Sequence, residues 1–233
     1  VNQYFISGTS SGIGKALAEQ ALATGHSVEG INRRNAIEDS NYNHHTLDLS
    51  DLDKVAGLQF EVSETAETLI LINNAGTLGE VKLLGNADAN ILAKTIAVNV
   101  SAPLMLCAHF IAQTKHFKGR RVIINISSGA AHHAIPSWSA YCGSKAAVSR
   151  FTEVIQLDHP DVDCMAIEPG VVDTQMQSEI RSVEAHNFPE KERFVAYKQN
   201  NSLASPEDIA ERILLFANGL HKKPAVCFSL RDV

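Results

Sequence analysis

The head of the chain constrains its fold more than any other stretch. Tyr4-Phe5-Ile6-Ser7 is a short apolar run that leads into Gly8-Thr9-Ser10-Ser11-Gly12-Ile13-Gly14. From Lys15 to Ala23, apolar residues recur at helical spacing, and Thr24-Gly25 ends the pattern. Strand, glycine-rich turn and helix in that order form a phosphate cradle. Glycines allow backbone to approach a pyrophosphate, and a helix N-terminus offers free N–H groups at the positive end of its dipole. The alternation then continues. Strands are predicted at Ser27–Asn32, His45–Asp48, Thr68–Ile72, Arg121–Ser127, Val162–Ile167 and Ala225–Ser229. Between them fall a polar helix after the third strand, a long helix from Asp88 to about Thr114, and one from about Ser137 to Leu157. A last helix opens at Pro206 with Ser205 as its cap.

Alternation of this kind predicts an α/β fold: a Rossmann-type, doubly wound parallel sheet of about seven strands, with ligands at the carboxyl ends of the strands. No repeat or low-complexity linker interrupts it, so residues 1–233 are read as one dinucleotide-binding domain. The chain is 45% hydrophobic and 20% charged, an ordinary balance for a globular protein. Its formal charge of −6 argues against a nucleic-acid partner and offers no polybasic membrane patch. No run of about 18 apolar residues appears, so no membrane span is expected. Four scattered cysteines without metal-ligand spacing point to reduced thiols in a cytoplasmic protein.

The chemistry is carried by Tyr141 and Lys145, four residues apart in Trp138-Ser139-Ala140-Tyr141-Cys142-Gly143-Ser144-Lys145. On a helix this spacing puts an ammonium and a phenol on one face. A free tyrosine, with a pKa of about 10, is a poor acid or base at neutral pH. A neighbouring cation is expected to lower that value toward the working range. A serine hydroxyl at a strand end, Ser128, could hold a carbonyl oxygen beside the phenol. The three together form a proton-transfer device for a C=O/CH–OH couple. The end of the second strand reads Asn32-Arg33-Arg34. A carboxylate there would repel a 2′-phosphate, whereas the planar fork of arginine suits one, so NADP(H) is expected over NAD(H).

Gly8-x-x-x-Gly12-x-Gly14, Asn73-Asn74-Ala75-Gly76, Asn99, Ser128, Tyr141-x-x-x-Lys145 and Pro169-Gly170 stand in this order along almost the whole chain. In order and spacing they resemble the short-chain dehydrogenases/reductases. Trp138 and Cys142 around the tyrosine resemble the sepiapterin reductase branch. Pro169 to Gln177, with Phe188-Pro189-Glu190, is similar to the microbial benzil reductases of that branch. One departure is Ser7, where the family usually has threonine. The resemblance implies a catalytic tetrad of Asn99, Ser128, Tyr141 and Lys145. Ser128 is chosen over Ser127 by its thirteen-residue spacing to Tyr141. Tyr141 would give the proton, Lys145 would also hold the nicotinamide ribose, and Asn99 would fix a helix distortion and a water leading to Lys145. The cofactor contacts implied are Gly8, Ser10, Ser11, Gly12, Ile13 and Gly14 at the pyrophosphate. Asn32, Arg33 and Arg34 would meet the ribose phosphate, and Asp48 and Leu49 the adenine. Asn74, Ala75 and Gly76 would lie beside the adenosine ribose, and Pro169, Gly170, Val172 and Thr174 at the nicotinamide.

The expected activity is therefore NADPH-dependent reduction of a small-molecule carbonyl compound, a ketone or diketone. A wall from Ala130 to Trp138 and a lid from Asp173 to about Gln199 would enclose the substrate, the lid carrying Met176, Ile180, Phe188, Phe194 and Tyr197. Homodimers or homotetramers built on the two long helices are expected. Two other functions stay open on the sequence: a non-catalytic NADP-binding sensor, and a 3-ketoacyl carrier-protein reductase, although no basic patch for an acidic carrier is evident. The pairs His44-His45 and His132-His133 lack zinc-ligand spacing with a third partner, so no metal is expected.

Overall fold

The structure is a computed structural model that describes residues 1–233. Seven strands form one parallel sheet in the order β3-β2-β1-β4-β5-β6-β7. They are β1 Asn2–Ser7, β2 Ser27–Asn32, β3 Tyr42–Thr46, β4 Thr68–Asn73, β5 Arg120–Ile126, β6 Asp163–Glu168 and β7 Cys227–Ser229. The middles of the central strands, Tyr4–Ile6, Leu69–Ile72 and Val122–Ile124, are apolar because both faces are covered. Successive side chains point to opposite faces. Tyr4, Ile6, Ile70, Ile72, Val122 and Ile124 therefore pack beneath α1 (Gly12–Ala23) and α8 (Pro206–Ala217). Phe5, Leu69, Leu71 and Ile123 pack on the other face with Val55 of α2 (Leu52–Ala56), and with α4 (Ala102–Gln113) and α5 (Ser139–Asp158). Each large side chain buried in this way contributes about 1.5–3 kcal/mol. Strand order reverses between β1 and β4, so the crevice lies at their carboxyl ends.

Local signals place the helices. Ser205 accepts from the Asp208 N–H and Pro206 occupies the first turn of α8, as the sequence predicts. Two predicted elements differ. The third strand lies at Tyr42–Thr46 and not His45–Asp48. Pairing with β2 fixes it, Val28 opposite Tyr42 and Asn32 opposite Thr46, while Asp48 turns the chain by accepting from the Ser50 N–H and hydroxyl. The helix from Asp88 is not uniform: α3 (Ala89–Ile96) passes through a π turn at Ala97–Ser101 into α4. Taken together, Ala89–Gln113 is long and apolar enough to cross a membrane by length and composition. Here Ala102, Leu106 and Phe110 are buried against the sheet.

Candidate active site

The glycine turn follows β1 directly. Gly8 has φ +80°, and a Cβ there would lie 3.0 Å from the Ala75 Cα. A Cβ on Gly14 would fall 2.3 Å from both the Gly8 carbonyl and Asn74 Nδ2. Only glycine fits either position, which leaves backbone open for a pyrophosphate. Ser11 precedes α1 without capping it, so no side chain takes up the N–H groups of its first turn. Ser10 and Ser11 are exposed, and Ile13 is half-buried. The Ser7 hydroxyl accepts from the N–H groups of Asn74 and Ala75, both at 3.1 Å. Serine thus does at this position what a hydroxyl is needed for: it ties the end of β1 to the Asn74–Gly76 segment. The segment from Pro169 comes to the same place, since a Cβ on Gly12 would meet Thr174 Cγ2 at 3.3 Å. Val172 is buried and bridges to Ala204. Gly170 backs onto Arg231.

At the end of β2, the Asn32 side chain turns inward to Thr9, whose hydroxyl is 2.7 Å from that of Tyr42. Arg33 and Arg34 are exposed and form no ion pair, free for an anion. Asp48 has its pKa lowered, chiefly by its hydrogen bonds to Ser50, and Leu49 is buried. The histidine pairs go elsewhere. His45 meets Glu29 at 2.6 Å, and that hydrogen bond raises its pKa, while His132 meets Glu168 at 2.8 Å.

The tetrad residues converge. Asn99 sits in the π turn and is buried. Its Oδ1 accepts from the Thr77 N–H at 2.9 Å, and its Nδ2 donates to the Thr77 carbonyl at 2.8 Å and to the Ser144 hydroxyl at 3.1 Å. Ser144 in turn donates to the Tyr141 carbonyl at 2.7 Å. A Cβ on Gly76 would lie 3.5 Å from Asn99 Oδ1 and 3.7 Å from Lys145 Nζ, which measures how closely the three meet. Ser128 follows β5 and accepts from the Ala130 N–H at 3.2 Å. Behind it, Asn73 donates to Asn125 at 2.8 Å and Asn125 to Thr152 at 2.8 Å, a buried chain tying β4 and β5 to α5.

The electrostatics correct one expectation. Lys145 does not lower the Tyr141 pKa in this structure. Its ammonium donates to the Ile126 carbonyl at 2.8 Å and lies 5.7 Å from the phenol ring centroid. Burial dominates both groups because it disfavours whichever form is charged. It pushes Tyr141 up to about 12, opposed by a hydrogen bond from Ser128, and Lys145 down to about 8. Tyr141 therefore stands as a neutral acid at physiological pH.

Over the phenol lies an aromatic wall. Trp138 meets Tyr141 edge-on at 5.3 Å and stacks on Phe188 at 5.5 Å with only 3° between the planes. Phe194 leans against both. The lid consists of α6 (Gln175–Ser182) and α7 (Lys191–Gln199), and Ile180, Met176 and Tyr197 join this cluster with Leu78 and Ala130. The sequence assigns no role to Thr77, Ser144, Asn73 or Asn125. Of these, Asn73 opens the Asn73–Gly76 motif and Ser144 is adjacent to Lys145 and one helical turn from Tyr141, so both carried a local signal, whereas Thr77 and Asn125 did not.

The short chain dehydrogenase family model matches residues 2–185. A benzil reductase ((S)-benzoin forming) of Bacillus subtilis is 36% identical over 222 residues, 91% of either chain. A sepiapterin reductase of Xenopus tropicalis is 35% identical over 136 residues, 56% of this chain and 50% of that one. Among solved structures, a short chain dehydrogenase/reductase from Saccharomyces cerevisiae superposes with a TM-score of 0.84 at 23% identity, over 98% of this chain and 96% of that one, which shows the shared fold. The family match over most of its length, on a chain that brings Asn99, Ser128, Tyr141 and Lys145 together beside a glycine-lined crevice, makes it a member of the short-chain dehydrogenase family, oxidoreductases acting on CH–OH and C=O groups.

Proposed function

We propose that this protein is an NADPH-dependent carbonyl reductase that acts on ketones or diketones with Tyr141 as proton donor. The observation that carries the reading is a buried, neutral Tyr141 beside Ser128, on the same helix as Lys145 and at the carboxyl edge of the sheet next to the glycine turn. The benzil reductase of Bacillus subtilis supports a diketone substrate. The glycine cradle and the free arginines fit the cofactor, which when bound supplies the hydride to the carbonyl carbon. Ser128 and Tyr141 hydrogen-bond the carbonyl oxygen. Tyr141 gives its phenolic proton to that oxygen as negative charge builds there. Lys145 holds the nicotinamide ribose. Asn99 keeps Thr77 and Ser144, and through them the start of α5, in place. Arg33 and Arg34 bind the 2′-phosphate.

The same proposal places the enzyme in the cytoplasm, consistent with four unpaired cysteines. It also has the enzyme assemble as a homodimer or homotetramer through α4 and α5, whose outer faces expose Leu104, Val154 and Leu157. The test is purified protein with NADPH or NADH and a panel of ketones and diketones, followed by absorbance of the reduced nicotinamide. The reading expects turnover with NADPH preferred. Folded protein that binds NADPH and reduces nothing would make it a sensor.

A further inference from the structure

Two consecutive buried residues, Trp138 against Tyr141 and Ser137 just before it, carry hydrogen-bonding groups with no partner within the protein. The Trp138 indole Nε1 and the Ser137 hydroxyl are both sealed from solvent, in residues 6% and 7% exposed, and neither meets a donor or acceptor. A buried polar group left unpaired costs about 1–3 kcal/mol, and two in consecutive residues compound that cost. Strain collects at the same place. Ser137 has φ +69°, a left-handed conformation that among non-glycine residues is shared only with Asn201. Such strain costs about 1–3 kcal/mol and clusters at ligand sites. Trp138 is not free to turn away and find a partner, since Phe188 stacks on its face, Phe194 leans on it and Tyr141 meets it edge-on. The indole is a donor only, so the atom it is built to meet is an acceptor. Its neighbour in the wall is the phenol assigned to the reacting carbonyl oxygen.

We infer that Ser137 and Trp138 form a second oxygen-binding site beside the catalytic hydroxyls. It takes an acceptor oxygen on the carbon adjacent to the reacting carbonyl, and so selects vicinal diketones over simple ketones. The inference rests on carbonyl reduction at Tyr141 and deepens it, by naming the residues that set the substrate class. A site built to hydrogen-bond a second oxygen penalises the analogue that lacks it, because its own buried donors then stay unpaired.

The test compares benzil with deoxybenzoin, which has the same two rings and one carbonyl fewer. Trp138→Phe keeps the ring that stacks on Phe188 and removes the N–H, and Ser137→Ala removes the hydroxyl. Each is expected to lower the ratio of kcat/KM for benzil to that for deoxybenzoin by about tenfold, the scale of one lost hydrogen bond, with NADPH affinity kept. A ratio unchanged in both variants overturns the inference while leaving carbonyl reduction intact. Binding is read without turnover through Trp138, the chain's one tryptophan. Its fluorescence, titrated in the NADP+ complex, is expected to show benzil binding about tenfold more tightly than deoxybenzoin, and Ser137→Ala to shrink the gap. Equal affinities in wild type overturn the inference whether or not any carbonyl is reduced.

Discussion

Lys145 is the point at which the active site works against the fold. Its ammonium is buried with one acceptor, the Ile126 carbonyl at 2.8 Å, and burial holds its pKa at about 8 against 10.5 for the free side chain. The folded pKa lies below the unfolded one, so the unfolded chain binds the proton more tightly. The penalty is therefore full below a pH of about 8 and fades as pH rises toward 10.5. At about 1.36 kcal/mol per pKa unit it amounts to roughly 3 kcal/mol near neutral pH. Lys145→Met keeps an unbranched side chain and removes the charge. It also takes a donor from the Ile126 carbonyl, which returns about 1 kcal/mol. The variant should then be about 2 kcal/mol more stable than wild type near neutral pH, a Tm about 4–8 °C higher for a chain of this size. By a pH of about 10 the remaining penalty is under about 1 kcal/mol, and the gain should vanish. The assay is urea unfolding of both proteins at the two pH values, beside NADPH oxidation, which the variant should have lost. A variant less stable than wild type near neutrality, or a gain equal at both pH values, would refute the reasoning.

Replacing Arg33 and Arg34 together with alanine should raise KM for NADPH at least about tenfold more than for NADH, since each charge-assisted hydrogen bond is worth about 1.5–3 kcal/mol; unchanged preference in steady-state kinetics would remove the arginines from the 2′-phosphate site. Gly14→Ala should weaken NADPH binding in a fluorescence titration by at least about tenfold, because its Cβ would fall 2.3 Å from the Gly8 carbonyl and force the cradle apart. Light scattering at micromolar concentration should show a dimer or tetramer, and a monomer alone would count against assembly through α4 and α5.

Elements whose own residues carry the signal were legible in the sequence. The run Thr68–Ile72 is apolar because the sheet buries it on both faces, and it appears as β4. Pro206 with Ser205 behind it marks the start of α8 through cap chemistry alone. The strand Tyr42–Thr46 was misplaced because its Asn and His residues have no strand pattern, and only pairing with β2 makes them one. Helical periodicity could not show the π turn. It is held by bonds from Asn99 to Thr77 and Ser144, residues distant in sequence. The resemblance supplied that distortion where periodicity did not. The tyrosine–lysine pair was visible as a spacing. Its electrostatics were not, because the burial that raises the Tyr141 pKa comes from the packing of the lid and the aromatic wall around the phenol. Lid residues such as Phe188 and Phe194 were recognisable as apolar, whereas their stacking on Trp138 required the fold.

The central claim is that the Tyr141 hydroxyl delivers the proton. Tyr141→Phe keeps the ring packed against Trp138 and removes only that hydroxyl. With the glycine turn and the arginines untouched, an NADPH titration should give wild-type affinity. Steady-state oxidation of NADPH with benzil should fall by about 10²–10⁴-fold, the usual share of a general acid. A folded Tyr141→Phe enzyme, saturated with NADPH and reducing benzil at close to the wild-type rate, would contradict the account.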